Sequence, residues 1–291
     1  MLYSSEYSVS YTQKSVMTIQ QERKKRKSLL DKDMETFISD VITHYELYGR
    51  HDLVWRKKIT PYSILISEVM LQQTQVARVV PKFLEWMKCY PSFIALSEAS
   101  LKDVLIMWQG LGYQRRAKAL LTIAQKVESL PKSHKELIEL PGIGLYTASA
   151  ICAFAYNSFA HPVLETNIRT VLINHFYHDS EAVSDTELYD MLFLLEKNRT
   201  VQGIGARVWY YALMDYGAFL KSKGVSHNKK SRHHRTQTVY KGSLRELRAK
   251  VLFAIAHKEM FPADTRVSVV LHQLEKEKFI TKNKKGLYFI P

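Results

Sequence analysis

Leu140-Pro141-Gly142-Ile143-Gly144 separates two helical stretches, a short one at 134–140 and a second that begins near Tyr146. Two glycines spaced two apart let the chain reverse tightly and bring its backbone close to a ligand. The first amides of the following helix point outward without intrahelical partners, and a phosphate fits them. Such an element holds a nucleic-acid backbone without reading bases. Gly-x-Gly also occurs in ordinary turns between packed helices, so the rest of the chain has to decide between the two readings.

Around this turn, apolar residues recur at helical spacing. Met34, Phe37, Ile38, Val41, Ile42 and Tyr45 fall on one helical face. Similar stretches follow at 63–72, 76–90, 101–108, 116–129, 146–156, 167–177 and 206–220. Another, at 185–196, opens with Ser184 and Glu187 at capping-box spacing. No alternating strand pattern interrupts the series, so the fold class is all-α over 33–220. Residues 1–32 form a basic N-terminal extension with the run Arg23-Lys24-Lys25-Arg26-Lys27. Residues 221–242 hold no acidic residue and read as a basic linker or a loop facing nucleic acid, with Lys229, Lys230 and Arg232 as phosphate contacts.

Residues 243–291 make a small unit of their own. Ser243 and Glu246 stand at capping-box spacing before Leu244, Leu247, Val251, Leu252 and Ile255, and a second helix carries Val267, Val270, Leu271 and Leu274. Phe279-Ile280-Thr281, a turn at Asn283 to Gly286, and Leu287-Tyr288-Phe289 read as a β-hairpin. Two helices and a basic hairpin suggest a winged-helix-like α+β domain.

The 291 residues carry 42 Lys and Arg against 28 Asp and Glu, a net charge of +14. That excess attracts polyanions, nucleic acid first among them, although charge tuned for solubility is the alternative. Only Cys89 and Cys152 are present, which excludes a disulfide framework or a four-thiolate metal site. No apolar run approaches the ~20 residues needed to span a bilayer. The start of the chain lacks the pattern of a signal peptide, and a cytoplasmic location without membrane contact is expected.

Five motifs in order then carry a resemblance. They are Val54-Trp55-Arg56, Ser67-Glu68-Val69-Met70-Leu71-Gln72-Gln73-Thr74-Gln75-Val76, Trp108-Gln109-Gly110-Leu111-Gly112-Tyr113, Leu140 through Thr147, and Ala212-Leu213-Met214-Asp215-Tyr216-Gly217-Ala218. Over roughly 50–220 the chain resembles the adenine DNA glycosylases of the helix-hairpin-helix superfamily, which act on mispaired adenine. The resemblance implies a two-lobed helix-hairpin-helix glycosylase fold, one lobe over 54–156 and the other over 33–53 with 157–220. It implies double-stranded DNA containing a mismatch or damaged base as partner, and a monomer suffices for that task.

The chemistry of that reaction fits the residues. Cleaving the bond between a purine and deoxyribose requires protonation of the leaving base and stabilisation of a cationic sugar, and paired carboxylates meet both needs. Glu68 lies between Ile66 and Val69, where desolvation raises its pKa and suits it as the acid; an exposed Glu in a helical turn is the alternative. The resembling enzymes place an Asp in Leu-Asp-Gly-Asn as the second carboxylate. Here Leu164-Glu165-Thr166-Asn167 stands instead, and no Asp occurs from 157 to 178. Glu165 keeps the charge but adds a methylene, moving the carboxylate by about 1 Å, a displacement to which catalytic geometry is sensitive. A plain helix-terminal carboxylate is its other reading.

Further roles follow from the resemblance. Tyr146 occupies the position where bifunctional relatives carry the Schiff-base Lys, so a monofunctional enzyme is expected, with Tyr146 and Asn167 assisting the carboxylates. Gln72, Gln73 and Thr74 read the flipped base or its opposite, and Leu111 and Tyr113 fill the gap left by flipping, with Gly142 and Gly144 on the phosphates. Packing of a helix and a turn is the bland account of the same residues. Most of the resembling family also carries an iron–sulfur cluster on four cysteines and a module that recognises oxidised guanine. No Cys follows residue 152 and no such module is recognisable, so no cluster and no cofactor are expected. A glycosylase for another damaged or mispaired base, and a non-catalytic binder of mismatched DNA, remain competing readings.

Overall fold

The computed structural model of the chain describes residues 32–225, 228–231 and 239–291. The basic run at 23–27 and Arg232 lie outside the described residues. A helix α1 covers residues 32–48. It is followed by α2 (Val54–Lys57), α3 (Pro61–Leu71), α4 (Val76–Cys89), α5 (Phe93–Ser97), α6 (Leu101–Met107) and α7 (Arg115–Ala124). Then come α8 (His134–Ile138), α9 (Leu145–Phe154), α10 (Thr166–Phe176), α11 (Asp185–Glu196) and α12 (Arg199–Ser222). The C-terminal unit holds α13 (Leu244–His257), α14 (Val267–Lys276), β1 (Thr281–Lys282) and β2 (Tyr288–Phe289).

Two helices form the centre because they are apolar on every side. On α3, all residues from Tyr62 to Met70 are buried, and on α9 all from Thr147 to Phe154. They pack against one another, with α4 and α7 against α3. Pro61 at the first position and Thr60 as cap start α3; the Thr60 side chain accepts from Ser63 N and Ser63 reaches back to Thr60 N. A Ser in place of the usual Glu hides this reciprocal cap from the sequence pattern. On the other side, α10 packs along α12, and Phe37 of α1 meets Phe176 and Trp209 edge-on at 4.9 and 6.3 Å.

Element boundaries depart from the sequence reading where local chemistry overrides periodicity. The helix expected at 206–220 starts at Arg199, capped by the Asn198 side chain, and kinks at Gly205, whose φ of 81° no ordinary side chain favours. Asn157 sits against that glycine and accepts from Arg207 N, so the kink also ties α12 to the end of α9. The short helices α2 and α5 were not anticipated, being too brief to show a period.

In the C-terminal unit the two helices and the hairpin are present. Lys282 pairs with Tyr288 and Thr281 with Phe289 in antiparallel register. The strands are shorter than expected: Phe279 and Ile280 are buried rather than paired in the hairpin, with Lys118 and Arg248 over the Phe279 ring. At α13 the cap is shifted by one residue. Ser243 accepts from Glu246 N, but Glu246 accepts in return from Gly242 N. This unit is clamped to α7. Glu277 receives Arg115 at 2.6 Å and Arg248 at 2.5 Å, and Lys118 donates to the carbonyls of Glu277 and Lys278.

Candidate active site

Glu68 projects from α3, the most enclosed helix, and is 5% exposed. Burial pushes its carboxyl up to about 7, eased by a hydrogen bond from Tyr146 and reinforced by the charge of Glu165. Tyr146 stands in the first turn of α9 and donates its hydroxyl to Glu68 Oε2 at 2.9 Å. Burial and the two neighbouring carboxylates hold the phenol well above its ordinary pKa, so it remains a donor.

Glu165 is the N-cap of α10. Its Oε1 accepts from the amides of Asn167 at 2.7 Å and Ile168 at 3.0 Å, and Oε2 accepts from Asn167 Nδ2 at 3.2 Å. Burial pushes this carboxyl up as well, while the two amides, Lys221 and the Asn167 side chain pull it down. The helix-capping reading and the site reading thus describe one and the same carboxylate. Among the described residues Glu68 accepts from one phenolic donor, with the Arg56 charge as the smallest influence on it; Glu165 has three N–H donors and the Lys221 cation. The first environment favours the neutral acid; the second supplies the N–H donors and cation that an anion needs, although burial leaves Glu165 raised overall.

A buried ion cluster lies within electrostatic reach of Glu68 through Arg56. Asp215 of α12 accepts from Arg56 at 2.7 and 3.0 Å and from the Arg50 side chain and amide at 2.7 and 2.8 Å. Burial alone would raise Asp215, but these arginines hold it below its ordinary range. Arg56 also lies 4.0 Å from the centre of the Tyr211 ring, which stacks on Phe154. The Tyr211 hydroxyl is buried with no hydrogen-bond partner among the described residues, a spare donor that feels the Glu68 charge. Arg56 and Asp215 belong to motifs noted in the sequence, yet their pairing across 159 residues could not be read there.

The residues expected to contact DNA fall into separate places. Gln72 is tied to α9 through Thr147 Oγ1 at 3.0 Å, one residue after Tyr146. Gln73 is exposed at the end of α3 with a left-handed φ of 57°. Tyr113, φ 49°, closes the turn after α6 and receives a hydrogen bond from Arg245 of α13. Leu111 is 5% exposed and packs inward, so Tyr113 after α6 and Gln73 after α3 are the less buried of these side chains. Arg116 joins these pieces: it donates to the carbonyls of Val69 and Gln72 at 2.7 and 2.6 Å, and to those of Leu111 and Gly112 at 2.9 and 3.1 Å. Nothing in the local pattern singles out this arginine, since it joins a turn 4 to 5 residues before it to a helix end 44 to 47 residues away. Beside the turn, between it and α13, opens a cleft of about 910 Å³ lined by Tyr113, Tyr240, Phe253, Arg78, Arg245 and Lys250.

At the hairpin, Gly142 has φ 78°, and a Cβ there would meet that of Ala119 at 2.7 Å. Gly144 caps α9 and has open space around it, leaving the first amides of that helix accessible. Lys229 is exposed, while Lys230 donates to His178 O at 2.5 Å. Their segment is pinned to the loop before α11, where Val183 N donates to Lys230 O. The iron–sulfur cluster of the resembling family does not fit this chain: it needs four thiolates, and here Cys152 is buried in α9 while Cys89 is exposed at the end of α4.

Residues 66–285 match the family described as HhH-GPD superfamily base excision DNA repair protein. The chain belongs to that superfamily. Among curated HhH-GPD relatives, the adenine DNA glycosylase of Buchnera aphidicola subsp. Baizongia pistaciae is 40% identical over 145 residues, 48% of this chain and 41% of that protein. The adenine DNA glycosylase of Mycolicibacterium smegmatis is 37% identical over 186 residues, 62% of this chain and 61% of that protein. The match spans 41% to 52% of the length of the first three curated relatives, all adenine DNA glycosylases of Buchnera aphidicola. A thermostable thymine-DNA glycosylase shares the HhH-GPD fold with a TM-score of 0.59 at 21% identity, covering 69% of this chain and 93% of that one. An endonuclease III solved as a trapped covalent intermediate with DNA superposes with a TM-score of 0.54 at 16% identity, over 74% of this chain and 93% of that one.

Proposed function

We propose that this HhH-GPD protein is a monofunctional DNA glycosylase of base excision repair that flips a mispaired adenine out of duplex DNA and hydrolyses its N-glycosidic bond. The observation that carries the reading is the Glu68–Tyr146 hydrogen bond beside a second carboxylate, Glu165, held on helix amides. As the bond from C1′ to the base nitrogen breaks, its electron pair leaves with the base, which takes a proton from neutral Glu68. The positive charge that builds on the sugar is stabilised by anionic Glu165. Water then adds at C1′ and gives its proton to the Glu68 carboxylate just formed, leaving an abasic sugar, free base and neutral Glu68. Tyr146 keeps the Glu68 proton oriented, and the Tyr211 hydroxyl is available to the flipped base.

The names of the relatives support adenine as the base. Tyr146, standing where a lyase would present an amine, supports hydrolysis without strand cleavage. Duplex DNA would lie across the hairpin amides and the Gln73–Tyr113 turn, with Tyr113 filling the gap. The unit at 243–291, which we read as winged-helix-like, would then face the same duplex, and the enzyme would act in the cytoplasm as a monomer without a metal or cluster.

A panel of duplexes differing only in one mispair tests this reading. Adenine-containing mispairs should yield sites that break only after alkali, and borohydride should trap no adduct. Release of a different base would reassign the substrate. Tight binding without release from any duplex would make the chain a binder, and breaks without alkali would make it bifunctional.

A further inference from the structure

Lys221 was not among the residues to which the sequence assigned chemistry, yet it reaches the candidate site from the last turn of α12. Its Nζ donates to Asn167 Oδ1 at 2.8 Å. The same carboxamide donates Nδ2 to Glu165 Oε2. We propose that Lys221 is a positioning residue that acts through Asn167 to hold the Glu165 carboxylate in its working rotamer. The proposal rests on the functional reading above for the role of Glu165, though not for the contacts themselves.

Three features argue for it. The first is the orientation of the Asn167 amide. An ammonium has donors only, so it must face the amide oxygen, and this forces the NH₂ end toward Glu165. Without Lys221 the carboxamide is free to turn its oxygen toward the carboxylate, which repels it. The second is how Lys221 gets there. Gly217 lies four residues earlier on the same face of α12, and a Cβ at 217 would come within 2.3 Å of the Asn167 carbonyl. The bare glycine brings α12 against the start of α10, and Lys221 follows one turn on. The third is cost. A cation beside the N-terminus of α10 opposes the helix dipole, and burial lowers its pKa, while the Glu165 charge raises it. The anion on Glu165 and the oxygen of Asn167 are what compensate a lysine placed there.

The need follows from the longer side chain. Glutamate has one more rotatable bond than aspartate, so the carboxylate of Glu165 has more positions to wander through. The amides of Asn167 and Ile168 fix Oε1, and the Asn167–Lys221 pair fixes Oε2. The charged and titratable groups facing Glu165 are Glu68 from α3, Tyr146 from α9 and Lys221 from α12. Among these three, Lys221 is the one that favours the anion by charge.

The test uses the full chain with Lys221→Met and Lys221→Arg, on duplex with mispaired adenine under single-turnover conditions. Lys221→Met should lose at least about tenfold in rate at saturating enzyme, a misplacement effect, with the duplex Kd changed far less. The acidic limb of its pH–rate profile should move to higher pH, because Glu165 is harder to ionise, and Lys221→Arg should restore most of the rate. A second measurement stands apart from activity: the Glu165 carboxyl, followed by carbon NMR and assigned with Glu165→Gln, should titrate at higher pH in Lys221→Met than in wild type. An unmoved Glu165 titration overturns the proposal whether or not the protein releases base. So does a loss confined to Kd with a shallower salt dependence, which would make Lys221 a phosphate contact. Borohydride trapping that disappears in Lys221→Met would make it a nucleophile and likewise overturns it. If wild type releases no base while the Glu165 titration shifts as stated, the positioning inference stands and the functional reading fails.

Discussion

At the scale of single residues, Glu68 is the site group whose protonation the fold alters toward catalysis. Its carboxyl has an ordinary value of 4.5 and is raised to about 7 by burial on α3. The neutral acid therefore persists to about pH 7, and base release that depends on it should fall as pH rises through that value. Stability has the same sign: a carboxyl raised on folding favours the native state below its unfolded pKa and loses that advantage as pH rises through the folded one. Glu68→Gln should accordingly be inactive yet gain thermal stability over wild type at pH 8, with the gain shrinking toward pH 5. Equal melting temperatures at both pH values would mean that Glu68 is not desolvated as described. For Glu165, loss of the charge in Glu165→Gln should cost about 3–4 kcal/mol of barrier, the scale of one electrostatic stabiliser. Glu165→Asp should keep measurable activity, because the amides of Asn167 and Ile168 remain; single-turnover rates of the two variants would settle both points. Glu68, Tyr146 and Glu165 were legible because each sits in a short motif whose neighbours fix its environment. Arg116, Lys221 and the Arg56–Asp215 pair were not, since their meaning lies in partners distant in sequence.

Among the elements, the central helices were legible as helices but not as the centre. The stretches 63–72 and 146–156 show a helical period in the sequence but not that they are buried on every side. The kink at Gly205 and the short α2 and α5 escaped for the opposite reason, too few residues to show a period. The contact of α10 with α12 is where an element decides function. Gly217→Ala would push a methyl into the Asn167 carbonyl at 2.3 Å, which neither helix can avoid without sliding. It should destabilise the chain by about 1–3 kcal/mol and lower activity beyond what the stability loss explains, since Asn167 moves with α10. Gly203→Ala, with open space around it on the same helix, is the control. Denaturant unfolding with single-turnover rates for both variants checks this; equal behaviour would mean that α12 does not need its close approach.

For the molecule as a whole, the charge of +14 points to a polyanionic partner, but does not tell how the C-terminal unit is joined to the rest. That joint is Glu277, gripped by Arg115 and Arg248. Glu277→Ala should loosen the unit and weaken duplex binding at moderate salt, while leaving the rate of bound enzyme nearly unchanged, because the carboxylates lie elsewhere. Binding by wild type should fall steeply as salt rises, in proportion to the phosphates neutralised. Unchanged affinity of Glu277→Ala across a salt series would show that the C-terminal unit does not touch DNA. The central claim, that Glu68 and Glu165 together break an N-glycosidic bond, is tested most directly by quantifying free adenine released in one turnover from a mispaired duplex. Wild type should release one adenine per bound duplex and leave an intact strand with an alkali-labile site. Glu68→Gln should bind the same duplex with similar affinity and release none. Release by Glu68→Gln at the wild-type rate, or no release by wild type from any mispair, would contradict the account.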